Sequence, residues 1–326
     1  MKYNKVVIWG YPLYSHTHSY IHEAYDRAFK FLGYKTYWFD DANYPQDFNF
    51  ENTLFISEGF ADKNIPLNKT SCYFIMYCPS PKKYIEAEVD RYIDVRMAAF
   101  DFKDHIHDYS LDKSKAIKVG PACYFEPKEN KKIKIKNNYH DYEIDDFDKF
   151  YISWATNILP EEFNEDWVYL KRENVLYFCG NLSDQGICEN ISTFIPFIQE
   201  CHKNNINFIH NNSWGNPLTS QEIIRRTQKS ILAVDIRGPE HLKNGLLTCR
   251  ISKNISYGHL GLTNSKEIYR ELEGNCILNE NTAELFYDGM RNKDNFNLIK
   301  DQMKYVKDNH TYINRIQSIL KILDYK

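Results

Sequence analysis

The sequence lacks an excess of either charge: 41 Lys and Arg stand against 44 Asp and Glu in 326 residues, a formal net charge of −3. Proteins that grip a phosphate backbone usually carry a basic surplus, so no nucleic-acid partner is expected. No apolar run approaches the length of a membrane span, so no transmembrane segment is expected either. The first apolar run, residues 4–10 (NKVVIWG), is too short for a signal-peptide core and leads into polar residues. A cytoplasmic protein is the expectation. The eight cysteines never form a C-x-x-C pair or a Cys/His ligand spacing. Reduced, buried thiols are expected rather than disulfides or structural zinc. The loop after the first strand-like run has no G-x-G-x-x-G, which argues against a dinucleotide-dependent dehydrogenase. No repeat of short period is visible.

What is present is apolar and aromatic material for two cores: 43% apolar residues, including 25 Tyr and 20 Phe. The pattern is α/β, and it runs twice. Residues 4–10 read as a buried strand, residues 19–32 as an amphipathic helix with Ser19 as its N-cap, and residues 35–39 as a second strand. Further strands are expected at 53–56 and 72–77, and a helix at 84–92. The lysine-rich stretch 128–136 (KENKKIKIK) reads as a solvated loop or hairpin. The pattern restarts with a strand at 175–179, a helix at about 188–203, a strand at 207–209 and a helix capped by Thr219. A charged helical segment at 294–326 closes the chain. Residues 1–150 are thus expected to form one domain, 151–174 a linker, 175–308 a second domain and 309–326 a final helix.

The most informative stretch is 231–265 (ILAVDIRGPEHLKNGLLTCRISKNISYGHLGLTNS). It reads as a buried strand over 231–234, a polar loop with Arg237 and a helix over about 248–257 stopped by Gly258. A strand over 260–262 follows, ending in Thr263-Asn264-Ser265. Ligands of open parallel sheets bind beyond the carboxyl ends of the strands. That rule gathers Arg237, Arg250, Lys253, Asn254, Thr263, Asn264 and Ser265 around one cleft. Guanidinium and ammonium groups beside a helix start suit a phosphate or diphosphate. Gly180 and Asn181 follow another strand and allow close backbone approach. His210, Asn211 and Asn212 follow the next, and their side chains can both donate and accept towards a nucleobase or ribose.

Arg250, Gly258 and Thr263 stand at the spacing R-x7-G-x4-T. This resembles the donor-site segment R-x-x-E-x-x-x-x-G-x-x-x-[LI]-T of GT-B glycosyltransferases, particularly the CgeB-like, family-1-like group. The resemblance implies two Rossmann-like domains facing a central cleft, with a nucleotide-sugar held by the second domain and the C-terminal helix crossing back to the first. It implies a glycan or glycoconjugate acceptor, lipid-linked or protein, and no cofactor or metal. Lys253 stands where the family has an acid, and a lysine cannot accept the ribose hydrogen bonds that an acid takes.

An inverting transferase also needs a general base. His16 and His18 follow the first strand, and Glu58 follows the third; a neutral imidazole suits the task. A retaining enzyme would use these residues as acceptor contacts instead. Two other activities fit the same pattern: a nucleotide-sugar epimerase, and a non-catalytic nucleotide-sugar or glycan-binding protein.

Overall fold

A computed structural model describes residues 2–97, 115–135, 142–185, 189–213 and 215–325. The chain divides into two compact units, Met1–Ser153 with Tyr312–Lys326, and Trp154–Thr311. Both are α/β.

The first unit starts as the sequence predicts. Strand β1 (Lys5–Trp9) leads to helix α1 (Ser19–Phe31), which buries Ile21, Ala24, Tyr25, Ala28 and Phe29 along one face. Gly33, at φ 82°, takes the left-handed turn that ends the helix. Strands β2 (Thr36–Phe39), β3 (Thr53–Glu58) and β4 (Cys72–Met76) follow. Every residue of β3 and β4 is buried, as expected of central strands covered on both faces.

Residues 84–92 do not form the expected helix. Helix α2 (Lys82–Glu86) is a short piece that stops before Glu88, which sits at φ 52°. Arg91 and Tyr92 instead open strand β5 (Arg91–Met97), paired in parallel with β4. The ladder with β4 overrides the local helical spacing. Beyond it lie β6 (Ile117–Gly120), β7 (Cys123–Glu126), β8 (Lys132–Ile135), β9 (Tyr142–Asp145) and β10 (Asp148–Ile152). The lysine-rich stretch contributes β8, which forms an antiparallel hairpin with β9.

The main sheet has the order β2-β1-β3-β4-β5-β10-β7-β6, parallel from β2 to β10 and antiparallel over the last two pairs. The 2-1-3-4-5 portion is a doubly wound order whose direction reverses between β1 and β3. One face carries an aromatic layer in which Trp9, Phe55, Tyr73 and Tyr92 pack with Tyr84, Phe147 and the hairpin residues Ile135 and Ile144.

The second unit repeats that order with thinner strands. Strand β11 (Val175–Cys179), helix α3 (Ile191–Lys203), strand β12 (Asn207–Asn211) and helix α4 (Ser220–Lys229) come first. Thr219 caps α4 as expected, its hydroxyl accepting from the Glu222 N–H at 3.1 Å. Helices α5 (Pro239–Lys243) and α6 (Arg250–Ser256), strand β13 (Leu262–Thr263), helix α7 (Lys266–Glu271) and strand β14 (Ile277–Leu278) follow. Helices α8 (Thr282–Asn292) and α9 (Phe296–Asn309) complete the unit. The expected strand over 231–234 is an extended segment without a regular ladder. Its Ile231 N–H donates to Val175 O at 2.8 Å and its Asp235 N–H to Leu262 O at 2.9 Å. Those bonds seat it between β11 and β13, giving β12-β11-(231–235)-β13-β14. Side chains take over at its two ends: Ser230 Oγ accepts from the Tyr177 N–H at 2.9 Å, and Asn264 pairs with the backbone of Arg237.

Residues 294–326 form two helices, with the break at His310-Thr311. The Thr156 N–H donates to His310 O at 3.0 Å there, drawing that carbonyl out of helical pairing. The last helix, α10 (Tyr312–Leu323), belongs to the first unit. It packs on α1, with Tyr25 and Tyr312 edge-to-face at 4.8 Å. Its Arg315 is fully buried and donates to Ser153 O at 2.8 Å and Pro121 O at 2.9 Å. No described helix is long and apolar enough to cross a membrane.

Candidate functional site

In the second unit, the residues singled out around one cleft divide into those already occupied by the fold and those that are not. Arg237 is buried and ion-paired with Asp235, at 2.7 Å from Oδ2. The same Nη2 also donates to Thr248 Oγ1. The Asn264 side chain clasps the Arg237 backbone from both sides, accepting from its N–H at 2.8 Å and donating to its carbonyl at 2.9 Å. Thr263 Oγ1 accepts from the Ser265 N–H at 3.2 Å, and Ser265 Oγ caps α7 by accepting from Ile268 at 3.3 Å. Asn254 is buried within α6. These five side chains build the wall. Replacing Arg237 with alanine would leave Asp235 charged and dry. The expected loss is about 3–5 kcal/mol of stability, read by chemical denaturation.

Arg250 is different. Its Nη1 donates to Cys179 O at 2.6 Å at the end of β11, and its guanidinium lies 4.2 Å from the centroid of the Phe178 ring. It has no carboxylate partner at ion-pair distance among the described residues. Burial pulls its pKa below the ordinary guanidinium value, with Asp235 opposing and Arg237 reinforcing that shift. A guanidinium remains charged even so. The site therefore holds a half-buried cation whose nearest acid is already committed to another arginine. Gly180 makes room for it, because a Cβ there would lie 2.0 Å from Arg250 Nη2. Lys253 stands one turn further along α6, half-buried.

The ends of β11 and β12 are tied together beside Arg250. Gly180 N–H donates to Asn211 O at 3.0 Å, and His210 Nε2 bonds Gly180 O at 2.8 Å. A carbonyl accepts only, so His210 carries its proton on Nε2. Asn211 is buried and exchanges bonds with Asn216; Asn212 is exposed; Asn181 O accepts from Asn190 Nδ2 at 3.0 Å.

In the first unit, the three residues proposed for acid–base work stand together. His18 Nδ1 lies 2.8 Å from both oxygens of Glu58, and Glu58 is buried. His18 follows β1 and Glu58 ends β3, the two strands between which the sheet order reverses. That is where open α/β sheets bind ligands. A carboxylate on Nδ1 fixes the Nδ1–H tautomer and makes Nε2 the basic nitrogen. His16 Nδ1 accepts the His18 backbone N–H at 3.1 Å, and the His16 ring stacks on Tyr11 at 4.0 Å. Burial holds the His16 pKa below the ordinary value, as does His18, against the pull of Glu58. His16 therefore stays neutral and positions the loop.

One expected cap is taken by another residue, and several contributors carry no signal in the sequence. Ser19 does not cap α1; its hydroxyl reaches back to accept from the Tyr14 N–H at 3.1 Å, and His18 occupies the cap position in a helical conformation. Tyr77, at φ 52°, stacks on His18 at 5.9 Å. The positive φ of a tyrosine just before Cys78-Pro79 leaves no mark in sequence. Asp41 accepts from Trp9 Nε1 at 2.9 Å and from the backbone of Lys63 and Asn64, pinning a neighbouring loop. His22 is fully buried beneath Gly10, where a Cβ would lie 2.1 Å from its ring.

Burial lowers the His22 pKa to about 4, with Glu58 pulling the other way. The unfolded chain therefore binds a proton that the folded chain refuses between pH ~6.5 and about 4. Stability from this group is complete above the upper limit and is lost as pH falls through the window, by about 3 kcal/mol. Comparing His22→Gln with the parent by denaturation at pH 7 and pH 4.5 should show a shallower loss in the variant.

A D-x-D spacing does occur, at Asp146-Phe147-Asp148, but both carboxylates are engaged. Asp146 accepts from Glu129 N–H and Lys149, and Asp148 from Arg91 and Lys128 N–H. No group of three or more metal-ligating side chains stands together among the described residues. No family model matches the chain, and no curated protein sequence matches it. The arrangement is a generic α/β, Rossmann-like one, compatible with nucleotide-binding enzymes in general.

Proposed function

We propose that the protein is a GT-B glycosyltransferase that moves a sugar from a nucleotide-sugar donor to an acceptor hydroxyl without a metal. The observation that carries this reading is Arg250, a half-buried guanidinium without a carboxylate partner among the described residues, set at a strand end against Gly180. It occupies the position that the R-x7-G-x4-T resemblance gives to the donor phosphate. A diphosphate would supply the missing counter-charge and accept the forked hydrogen bonds that a guanidinium offers. Arg237, held by Asp235, sets the local field and positions the Asn264 wall. Lys253 adds a second cation on α6, in place of the acid that would hold ribose.

His18 is the base of this reaction. The acceptor O–H attacks the anomeric carbon, the new O–C bond forms as the bond from that carbon to phosphate oxygen breaks, and the electron pair leaves with the nucleoside diphosphate. The acceptor proton passes to His18 Nε2, and Glu58 stabilises the imidazolium. A base in this role implies inversion at the anomeric carbon. The test is NMR of the product formed from a donor of known configuration. An inverted product with nucleoside diphosphate released supports the mechanism. Retention removes His18 as the base, and a converted sugar with no acceptor consumed points to an epimerase.

A further inference from the structure

Tyr77 follows β4 directly and takes φ 52°, a left-handed backbone that a bulky side chain adopts only under constraint. Its surroundings supply the constraint. The Tyr77 N–H donates to Val95 O of β5 at 3.3 Å, and the next residue, Cys78, is buried. The end of β3 closes on the same segment. Gly59 N–H donates to Met76 O at 2.7 Å, and a Cβ on Gly59 would lie 2.5 Å from Cys78 Cα and 2.8 Å from Tyr77 O.

The turn decides where the ring goes. Tyr73 and Ile75 point into the aromatic layer, whereas Phe74 and Met76 face the other way and line a small cavity with Ile56 and Tyr25 of α1. Glu58 is the register partner of Met76 and shares its face. A regular continuation of β4 would send Tyr77 after Tyr73 and Ile75, to the face away from Glu58. The left-handed residue breaks that alternation. The Tyr77 ring stacks instead on His18, 20° from parallel with centroids 5.9 Å apart. Offset rings at this spacing form a favourable aromatic pair.

We propose that Tyr77 is a positioning residue for His18. The Glu58 carboxylate, 2.8 Å from Nδ1, holds one edge of the imidazole. The Tyr77 ring, laid against the imidazole face, holds its plane and so the direction of Nε2. Backbone strain retained where it brings one side chain onto another marks a site that must keep a single geometry. The effect on turnover rests on the transferase reading; the effect on the imidazole does not.

The experiment compares Tyr77→Phe, Tyr77→Ala and Tyr77→Gly in the full chain. Isotope-labelled histidine is followed by NMR, with the His18 signals assigned by their loss in His18→Ala. Tyr77→Ala and Tyr77→Gly should move the His18 imidazole signals and leave those of His259, in the second unit, in place. Tyr77→Phe, which keeps the ring, should hold the His18 signals near those of the parent. Tyr77→Gly should melt above Tyr77→Ala, the reverse of the order in extended backbone, because glycine takes this φ without strain. Both should lower the transfer rate by on the order of ten-fold with donor affinity unchanged, and Tyr77→Phe should recover most of that loss. A merely structural residue would give the melting difference without the His18 shift. His18 signals unmoved in Tyr77→Ala, or an unchanged rate in an active enzyme, overturns the inference. Moved His18 signals in a chain that transfers no sugar from any donor would uphold the positioning role and sink the transferase reading instead.

Discussion

His18→Ala is expected to lower the transfer rate by about 10²–10⁴-fold while donor affinity stays within about two-fold of the parent. Glu58 holds His18 Nδ1 at 2.8 Å from a buried carboxylate, so the imidazole has one tautomer and one orientation. The cation formed on proton transfer is stabilised where it forms. Glu58→Gln should keep the shape of the site, yet its amide can donate to Nδ1 and so favour the wrong tautomer; a loss approaching that of His18→Ala is expected. The two variants together should lose little more than either alone, because they act as one unit. Initial rates at saturating donor, with melting measured alongside, check this. Full activity in His18→Ala would remove the dyad from the chemistry.

The second large effect concerns Arg250. Arg250→Met keeps much of the packing on Phe178 but removes the charge, and should weaken nucleoside-diphosphate binding by about 100-fold or more. That corresponds to two charge-assisted hydrogen bonds at roughly 1.5–3 kcal/mol each, less what water recovers. Arg250→Lys should recover part of the attraction but not the fork, so it should fall between the two. Titration calorimetry with a nucleoside diphosphate reads the difference. The contrast with Arg237 is the useful control. Arg237 is neutralised by Asp235, so its loss should appear mainly in stability, whereas that of Arg250 should appear in affinity.

Much of this fold is written in local runs. The runs that became β1, β3 and β4 have unbroken apolar centres (residues 6–9, 54–56 and 72–76) because both faces of those strands are covered there, and the helical spacing of α1 matches its buried face. Residues 84–92 carry a helical spacing because α2 and β5 follow one another with no Gly or Pro between them, and only pairing with β4 divides them. The 231–235 segment is apolar enough for a strand but takes few ladder bonds, and just beyond it the backbone of Arg237 pairs with the side chain of Asn264, 27 residues away in sequence. His18 and Glu58 could each be placed at a strand end from sequence. That they meet depends on β1 lying next to β3, which no local pattern encodes. Likewise, the positive charges of 231–265 were visible, but not that Asp235 occupies one of them. Residues i and i+2 of an extended segment share a face, which is what lets Asp235 reach Arg237; local pattern does not say whether such neighbours pair with each other or with a ligand.

The central claim is that the second unit binds a nucleoside diphosphate through Arg250. Thermal melting of the protein against UDP, GDP, CDP, dTDP and their sugars, without added metal, tests it most directly. A ligand at a hundred times its dissociation constant should add about 2.7 kcal/mol, visible as a rise in melting temperature with one nucleotide class and absent in Arg250→Met. No rise with any of them, or an equal rise in Arg250→Met, would contradict the account.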